Sequence, residues 1–154
     1  MNPTYPAPRG NVLLLSCMDL RLLDDIVRFM DRDNLTNRYD QFILAGAALG
    51  ADVKEHWGKA FFDHLSVACE LHNIKDVYIL EHRNCGAYKV FLNDAGDFDD
   101  SETGQYHERE KHEEYALKLA GKIKAWSAEN GRSLQVRCLL MDLRGQVELL
   151  GPSS

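Results

Sequence analysis

Short continuous apolar runs alternate along the chain with longer stretches in which apolar residues recur at helical spacing. Residues 11–17 form an apolar run that follows a proline-rich lead, which is typical of a buried strand in a parallel sheet. Residues 20–30 then carry apolar side chains at helical spacing. Strands at 40–45 and 76–81, separated by a helix at 53–72, continue the alternation. The first half of the chain is therefore predicted to fold as βαβαβ.

The second half of the chain repeats this alternation around an acidic interruption. A short helix is predicted at 87–92, and the acidic stretch 93–105 has no periodicity, which indicates a surface loop. A long, charge-rich helix is predicted at 106–129, ending at Asn130 and Gly131. Strands at 133–141 and 146–150 follow, and the short turn between them favours an antiparallel last strand.

Strands that alternate with helices indicate an α/β fold, because the crossover helices of a parallel sheet cover both of its faces. We predict one domain with a mainly parallel central sheet in the order 2-1-3-4, a C-terminal antiparallel strand, and helices on both faces. A length of 154 residues suits a single domain. Residues 1–10 are interpreted as an N-terminal extension and residues 11–154 as the domain.

Three metal-ligand side chains follow the first and third predicted strands. Cys17 ends the first strand, and His82 and Cys85 come directly after the third. In the order 2-1-3 these strands are neighbours, so their carboxyl ends meet where open sheets bind ligands. Two thiolates and one imidazole suit zinc, and three protein ligands leave a fourth position open for catalysis. The sequence therefore predicts a zinc site on Cys17, His82 and Cys85.

Asp19 and Arg21 are predicted to lie beside this site as a paired acid and base. Asp19 can either take the fourth zinc position or lie next to it. Two thiolates already neutralise the dication, so a third anion on the metal would weaken its pull on the proton of a bound water. The planar donor fork of Arg21 can bind the carboxylate at both oxygens and keep it as an acceptor for that water. A metal-bound hydroxide would then attack a small electrophilic carbon.

Composition and charge narrow the classes of partner. Hydrophobic residues make up 45% of the chain and charged residues 27%, which is ordinary for a globular protein. A net charge of −6 repels nucleic acid, and no segment has the ~20 apolar residues of a membrane span. With no signal peptide in the opening residues, we predict a cytoplasmic protein with a small-molecule substrate. Cys69 and Cys138 are predicted to pack in the core.

The other polar groupings are weaker candidates for chemistry. The spacing of His107 and His112 misses the separation that brings two ligands together on a helix, which leaves a proton-shuttle role as the alternative for either one. His56, His64 and His72 are interpreted as ordinary helix residues, since they drift around the helix. The acidic loop lacks the glycine that a calcium loop requires. Residues 46–50 lack the glycine order of a dinucleotide loop.

The chain resembles the β-class carbonic anhydrases at two motifs. Cys17-Met18-Asp19-Leu20-Arg21 matches that family's C-x-D-x-R, and His82-Arg83-Asn84-Cys85-Gly86 matches its H-x-x-C-G. The resemblance implies zinc on Cys17, His82 and Cys85, an Asp19–Arg21 dyad, and reversible hydration of carbon dioxide to bicarbonate. It also implies a homodimer or a larger homo-oligomer with active sites near subunit contacts.

One segment departs from the family pattern. The chain has Ile43-Leu44-Ala45-Gly46 where the family usually has R-N-A-G, which removes two polar groups near the site and predicts a more apolar pocket. Carbonyl sulfide and carbon disulfide hydrolases share the ligand set, so hydrolysis of such a sulfur substrate is an alternative function. A zinc-binding or scaffold protein without catalysis is a second alternative.

Overall fold

The structure is a computed structural model that describes residues 10–151, so all of the predicted extension except Gly10 lies outside the described residues. Strands and helices alternate along these residues, with a short 3-10 helix at Asn93–Gly96. In chain order the elements are β1 (Val12–Ser16), α1 (Leu23–Arg32), β2 (Tyr39–Ile43), α2 (Ala48–Val53), α3 (Glu55–His72), β3 (Asp76–His82), α4 (Gly86–Leu92), α5 (Glu102–Glu129), β4 (Gln135–Met141) and β5 (Val147–Leu149).

The strands form one sheet in the order β2-β1-β3-β4-β5, which confirms the predicted α/β fold and strand order. Every pair is parallel except β4 with β5, which is antiparallel as predicted. In the register of β1 against β3, Ser16 lies opposite Leu80. The residues that follow these two strands therefore emerge side by side at the carboxyl edge of the sheet.

Helices cover both faces of the sheet, as predicted, because successive strand residues point to opposite faces. Leu13 and Leu15 of β1 pack into a cluster with buried residues of α2, α3 and α5. Val12 and Leu14 pack on the other face with residues of α1. The first cluster also contains Cys69 and Cys138, which confirms them as core residues. Within residues 10–151, no helix combines the length and the hydrophobicity needed to cross a bilayer.

The helix predicted at 53–72 is wrong at its start, because two helices meet there. Lys54 has an extended backbone that separates α2 from α3. The sequence prediction missed α2 altogether. Gly46 and Ala47 both have positive φ, 77° and 47°, and this reversal turns the chain from β2 directly into α2. The missing side chain at Gly50 lets α2 lie close against the carbonyl oxygen of Ala45.

The predicted loop at 93–105 is also only partly right. Its first residues form the 3-10 helix, and α5 begins at Glu102 rather than at residue 106. The early start follows from an N-terminal cap, since the Ser101 hydroxyl accepts a hydrogen bond from the N–H of Gly104 at 3.0 Å. Asp99 in turn accepts from the N–H of Ser101 at 3.0 Å.

Candidate metal centre

The three predicted ligand residues converge at the carboxyl ends of β1 and β3. The sulfur atoms of Cys17 and Cys85 lie 3.9 Å apart. These atoms and a ring nitrogen of His82 all lie within 4.8 Å of one another, and all three residues are buried. Among residues 10–151 this is the one cluster of histidine, cysteine or acidic side chains with metal-site spacing. The cluster brings together residues that are far apart in the sequence, as the strand order predicts.

The ring of His82 is oriented for a metal by the main chain. Its Nδ1 lies 2.7 Å from the carbonyl oxygen of Arg83, an acceptor that places the ring proton on Nδ1. The other nitrogen, Nε2, is buried and has no hydrogen-bond partner among the described residues. Buried polar atoms without partners are uncommon, and this one belongs to a ring that has a nitrogen within the cluster. The arrangement is the one that metal-ligating histidines adopt.

Hydrogen bonding within the cluster favours a thiolate. The thiol of Cys85, together with His82 and the N–H of Gly46, lowers the pKa of Cys17 to about 4 against the opposing effect of burial. The same hydrogen bond and burial raise the pKa of Cys85. The two shifts are opposite because one hydrogen bond joins the sulfurs, and it favours the thiolate at Cys17. Although burial lowers the pKa of His82, the neighbouring Cys17 and the hydrogen bond to the Arg83 carbonyl raise it above its usual value.

The donor set fits zinc and does not fit magnesium or calcium. Two sulfurs and one imidazole are the soft and borderline ligands that zinc takes in tetrahedral sites, whereas magnesium and calcium prefer oxygen. Three protein ligands leave one tetrahedral position for a water or a substrate.

Arg21 binds the carboxylate of Asp19 at both oxygens. Its Nη2 donates to Oδ2 at 2.7 Å, and its Nε and backbone N–H donate to Oδ1 at 3.0 and 2.9 Å. These bonds lower the pKa of Asp19 to about 2, so the side chain is an ionised acceptor. Asp19 Oδ2 lies 3.8 Å from His82 Nε2, yet Asp19 does not belong to the cluster of three ligand atoms. The dyad therefore lies beside the metal-binding atoms.

Two residues that the sequence analysis did not single out hold Arg21 in place. Arg21 Nη1 donates to Asn84 Oδ1 at 3.0 Å, and Nη2 donates to the Asn84 carbonyl at 3.0 Å. Glu108 of α5 then accepts from the N–H of Asn84 at 2.8 Å. Asn84 has φ 58°, a left-handed conformation that asparagine tolerates better than most residues. An asparagine inside the H-x-x-C spacing was the available signal, whereas Glu108 has no local signal at all.

A buried carboxylate lies immediately behind the ligands. Glu81 is 1% exposed, and its Oε1 accepts from the Tyr88 hydroxyl and lies 2.8 Å from Nδ1 of His112. Its Oε2 accepts from the N–H of Ala48 at 3.0 Å. We call these three side chains with the Ala48 N–H the Glu81 cluster. His112 is also 1% exposed, and its burial was not predicted from the sequence. The only sequence signal for this cluster was a glutamate at the end of an apolar strand.

The segment that departs from the family motif reaches the site through its backbone. The N–H of Gly46 donates to Cys17 Sγ at 3.4 Å. Leu44 packs against the core cluster, and Ile43 is 48% exposed at the end of β2. A more apolar substrate pocket stays a prediction.

Cavities differ in their relation to the ligands. A cavity of about 280 Å³ is lined by Cys85, Asn84, Tyr88 and His112, among others. A larger one, of about 870 Å³, lies between α2, α3 and α5 and touches none of the three ligand residues. Proximity to Cys85, rather than size, makes the smaller cavity relevant to the metal centre.

Comparison by sequence finds two close relatives, and no family model matches the chain. An uncharacterized protein of Rickettsia conorii is 34% identical over 141 residues, which cover 90% of this chain and 71% of the relative. An uncharacterized protein of Rickettsia bellii is 34% identical over 142 residues, covering 90% of this chain and 80% of the relative.

Comparison by structure finds β-carbonic anhydrases. The structure is similar to one from Aspergillus fumigatus, with TM-score 0.63 and 16% identity over 96% of this chain and 78% of that one. The enzyme from Coccomyxa, in complex with acetazolamide, gives TM-score 0.61 and 16% identity over 94% and 72%. A tetrameric β-carbonic anhydrase of Sordaria macrospora gives TM-score 0.60 and 15% identity over 97% and 84%. At these identities the likeness shows a shared fold.

Proposed function

The chain belongs to the same protein family as the two rickettsial relatives and has the β-carbonic anhydrase fold, and from this premise we propose that it is a zinc-dependent carbonic anhydrase. The reaction is the reversible hydration of carbon dioxide to bicarbonate. The observation that carries the proposal is the position of the Asp19–Arg21 dyad, whose carboxylate lies 3.8 Å from the free nitrogen of His82. This geometry supports both the ligand set and the acceptor.

Cys17, His82 and Cys85 would hold the zinc ion. The orphaned Nε2 of His82 and the two adjacent sulfurs support this assignment. Bound by three protein ligands, zinc supplies an activated water at neutral pH. The two cysteines come from different strand ends, so the site forms only in the folded chain.

Asp19 would act as the hydrogen-bond acceptor of the reaction, at its Oδ2. Arg21 satisfies both carboxylate oxygens and thereby holds Asp19 beside the ligand atoms rather than among them. This supports a site in which Asp19 would not itself be a metal ligand. An acceptor at Oδ2 would orient the nucleophile toward the carbon of the substrate.

We further propose a homodimer or a larger homo-oligomer that acts in the cytoplasm on a small molecule, without nucleic acid or membrane partners. The tetrameric enzyme of Sordaria macrospora supports self-association, since it has the same fold. A sulfur analogue of carbon dioxide remains the alternative substrate.

Metal analysis combined with stopped-flow carbon dioxide hydration tests the proposed function. Wild type should carry one zinc per chain and accelerate hydration. Asp19→Asn should retain the zinc and lose about 100-fold or more in kcat/KM, because it removes an anionic acceptor. Asp63→Asn is the matched control, since Asp63 pairs with Lys59 on the exposed side of α3.

Three outcomes would contradict the proposal in different ways. A zinc-free wild type would refute the metal centre. Zinc without hydration, but with hydrogen sulfide release from carbonyl sulfide or carbon disulfide, would assign the sulfur substrate. Zinc with neither activity would make the protein a non-catalytic zinc-binding scaffold.

A further inference from the structure

The Glu81 cluster uses a buried carboxylate as an acceptor for three donors. Glu81 Oε1 lies 2.8 Å from Nδ1 of His112, and with the ring proton on Nδ1 the imidazole donates to this oxygen. The Tyr88 hydroxyl donates to the same oxygen, and the Ala48 N–H donates to the other. Burying a carboxylate is costly unless its hydrogen bonds are made, and here they are.

The donors of the Glu81 cluster belong to the segments that surround the other two ligands. Ala48 lies two residues after Gly46, whose N–H donates to the sulfur of Cys17. Tyr88 lies in the first turn of α4, which begins directly after Cys85. Glu81 itself immediately precedes His82 in β3. One carboxylate therefore connects the strand of His82 to the backbone around Cys17 and to the helix behind Cys85.

We propose that Glu81 is a positioning residue of the metal centre, which fixes the spacing of the three ligand atoms through Ala48 and Tyr88. His112, from α5, completes the hydrogen bonding of the carboxylate. This inference rests on the metal-binding part of the proposed function. It assigns a role in metal affinity to residues that touch neither metal nor substrate.

Glu81→Gln and Tyr88→Phe test the role with little change of shape. The amide nitrogen of glutamine is a donor and cannot accept from Ala48, Tyr88 or His112, so at least one of these bonds is lost. Tyr88→Phe removes only the hydroxyl. Ser127→Ala is the matched control: Ser127 is buried and accepts from the N–H of Leu134 at 2.9 Å. Leu134 immediately precedes β4, at the amino edge of the sheet, opposite to the ligands.

Zinc affinity, measured by competition with a chromogenic chelator, and the absorption spectrum of the cobalt(II)-loaded protein are the readouts. Glu81→Gln should weaken zinc binding by about 10- to 100-fold, and Tyr88→Phe by about tenfold, as loss of outer contacts does at other metal sites. Both should alter the ligand-field bands of cobalt, which report coordination geometry. Ser127→Ala should lower the melting temperature and leave affinity and spectrum unchanged.

The outcomes separate this inference from the proposed function. If both variants bind zinc like wild type and give its cobalt spectrum, Glu81 does not position the site, and the proposed function is unaffected. If Glu81→Gln does not fold, Tyr88→Phe decides the matter alone. If wild type binds no zinc, both the inference and the proposed function are refuted.

Discussion

Arg21 shows how one side chain can serve two partners through the shape of its guanidinium group. Its Nε and Nη2 donate to Asp19, while Nη1 and Nη2 donate to Asn84. The planar fork therefore fixes the carboxylate relative to the backbone that carries Cys85. A lysine would keep the positive charge without this geometry.

Arg21→Lys separates geometry from charge. We expect zinc to be retained and kcat/KM for hydration to fall about 10- to 100-fold, because a carboxylate displaced by an ångström loses its alignment. Arg28→Lys is the control, since Arg28 makes an exposed ion pair with Asp25 on α1. Equal rates for Arg21→Lys and wild type would show that the charge alone suffices.

Among individual residues, the sequence predicted those that share a local motif. It did not predict the contacts of residues that lie outside such a motif. Cys17, Asp19 and Arg21 are two residues apart, and the dyad geometry follows from that spacing. Glu108 and His112 reach the site only because α5 packs along the sheet, which no local pattern shows. Their interactions become visible only once the fold brings residues 24 to 31 positions apart into contact.

Among the helices and strands, α2 positions two backbone N–H groups of the site, because it packs tightly against the end of β2. A Cβ added to Gly50 would lie 2.1 Å from the Ala45 oxygen and 2.7 Å from Leu44 Cδ1. The backbone oxygen of Ala45 cannot move aside as the end of a flexible side chain can. The close approach places the Gly46 N–H beside Cys17 and the Ala48 N–H beside Glu81.

Gly50→Ala and Gly121→Ala should therefore change the free energy of unfolding in opposite directions. Gly50→Ala should destabilise the protein by about 1–3 kcal/mol through overpacking. Gly121 lies in α5 with nothing near its missing Cβ, and alanine there should stabilise the helix by about 0.5–1 kcal/mol. Urea denaturation measures both values. A shift of the same sign in both variants would contradict the packing argument.

Helical periodicity alone could not reveal the boundary at Lys54. The helix predicted at 53–72 joined only the last residue of α2 to α3, and the rest of α2 was not predicted. The two helices are separated by the extended backbone of Lys54. The turn into α2 depends on the positive φ of Gly46 and Ala47, and alanine gives no sequence signal for such a conformation.

For the whole molecule, the candidate metal ligands come from two neighbouring strands of the sheet, β1 and β3. Cys17 follows β1, whereas His82 and Cys85 belong to the end of β3 and the turn after it. A bound ion would thus stabilise the folded chain over the unfolded one, in which these residues are far apart.

Removing zinc should lower the melting temperature of wild type. A ligand at 100 times its Kd adds about 2.7 kcal/mol, which corresponds to roughly 5–10 °C for a domain of this size. Scanning calorimetry with and without a chelator measures the shift. Cys85→Ser should show a much smaller one, since it lacks a thiolate ligand. Identical shifts in both proteins would place the metal elsewhere.

The strand order could be predicted because alternating strands and helices leave few arrangements for a parallel sheet. The antiparallel β5 followed from a short turn that the structure confirms, with the Gly145 N–H donating to the Asp142 carbonyl. The order of the strands then placed Cys17 and His82 together. A detail that depends on tertiary packing, such as α2, lay beyond the pattern, whereas the early start of α5 follows from the local cap at Ser101.

The His82 ring is oriented by the backbone carbonyl of Arg83, so its orientation should tolerate substitution of the Arg83 side chain. Every amino acid supplies that carbonyl, so the tautomer of the ligand is independent of which side chain follows it. The side chain of Arg83 is therefore not needed to orient the imidazole. Its guanidinium group instead connects α5 to β5 by hydrogen bonds to Glu108 and Glu148. Replacing Arg83 should loosen that junction while the imidazole keeps the same face toward the sulfurs.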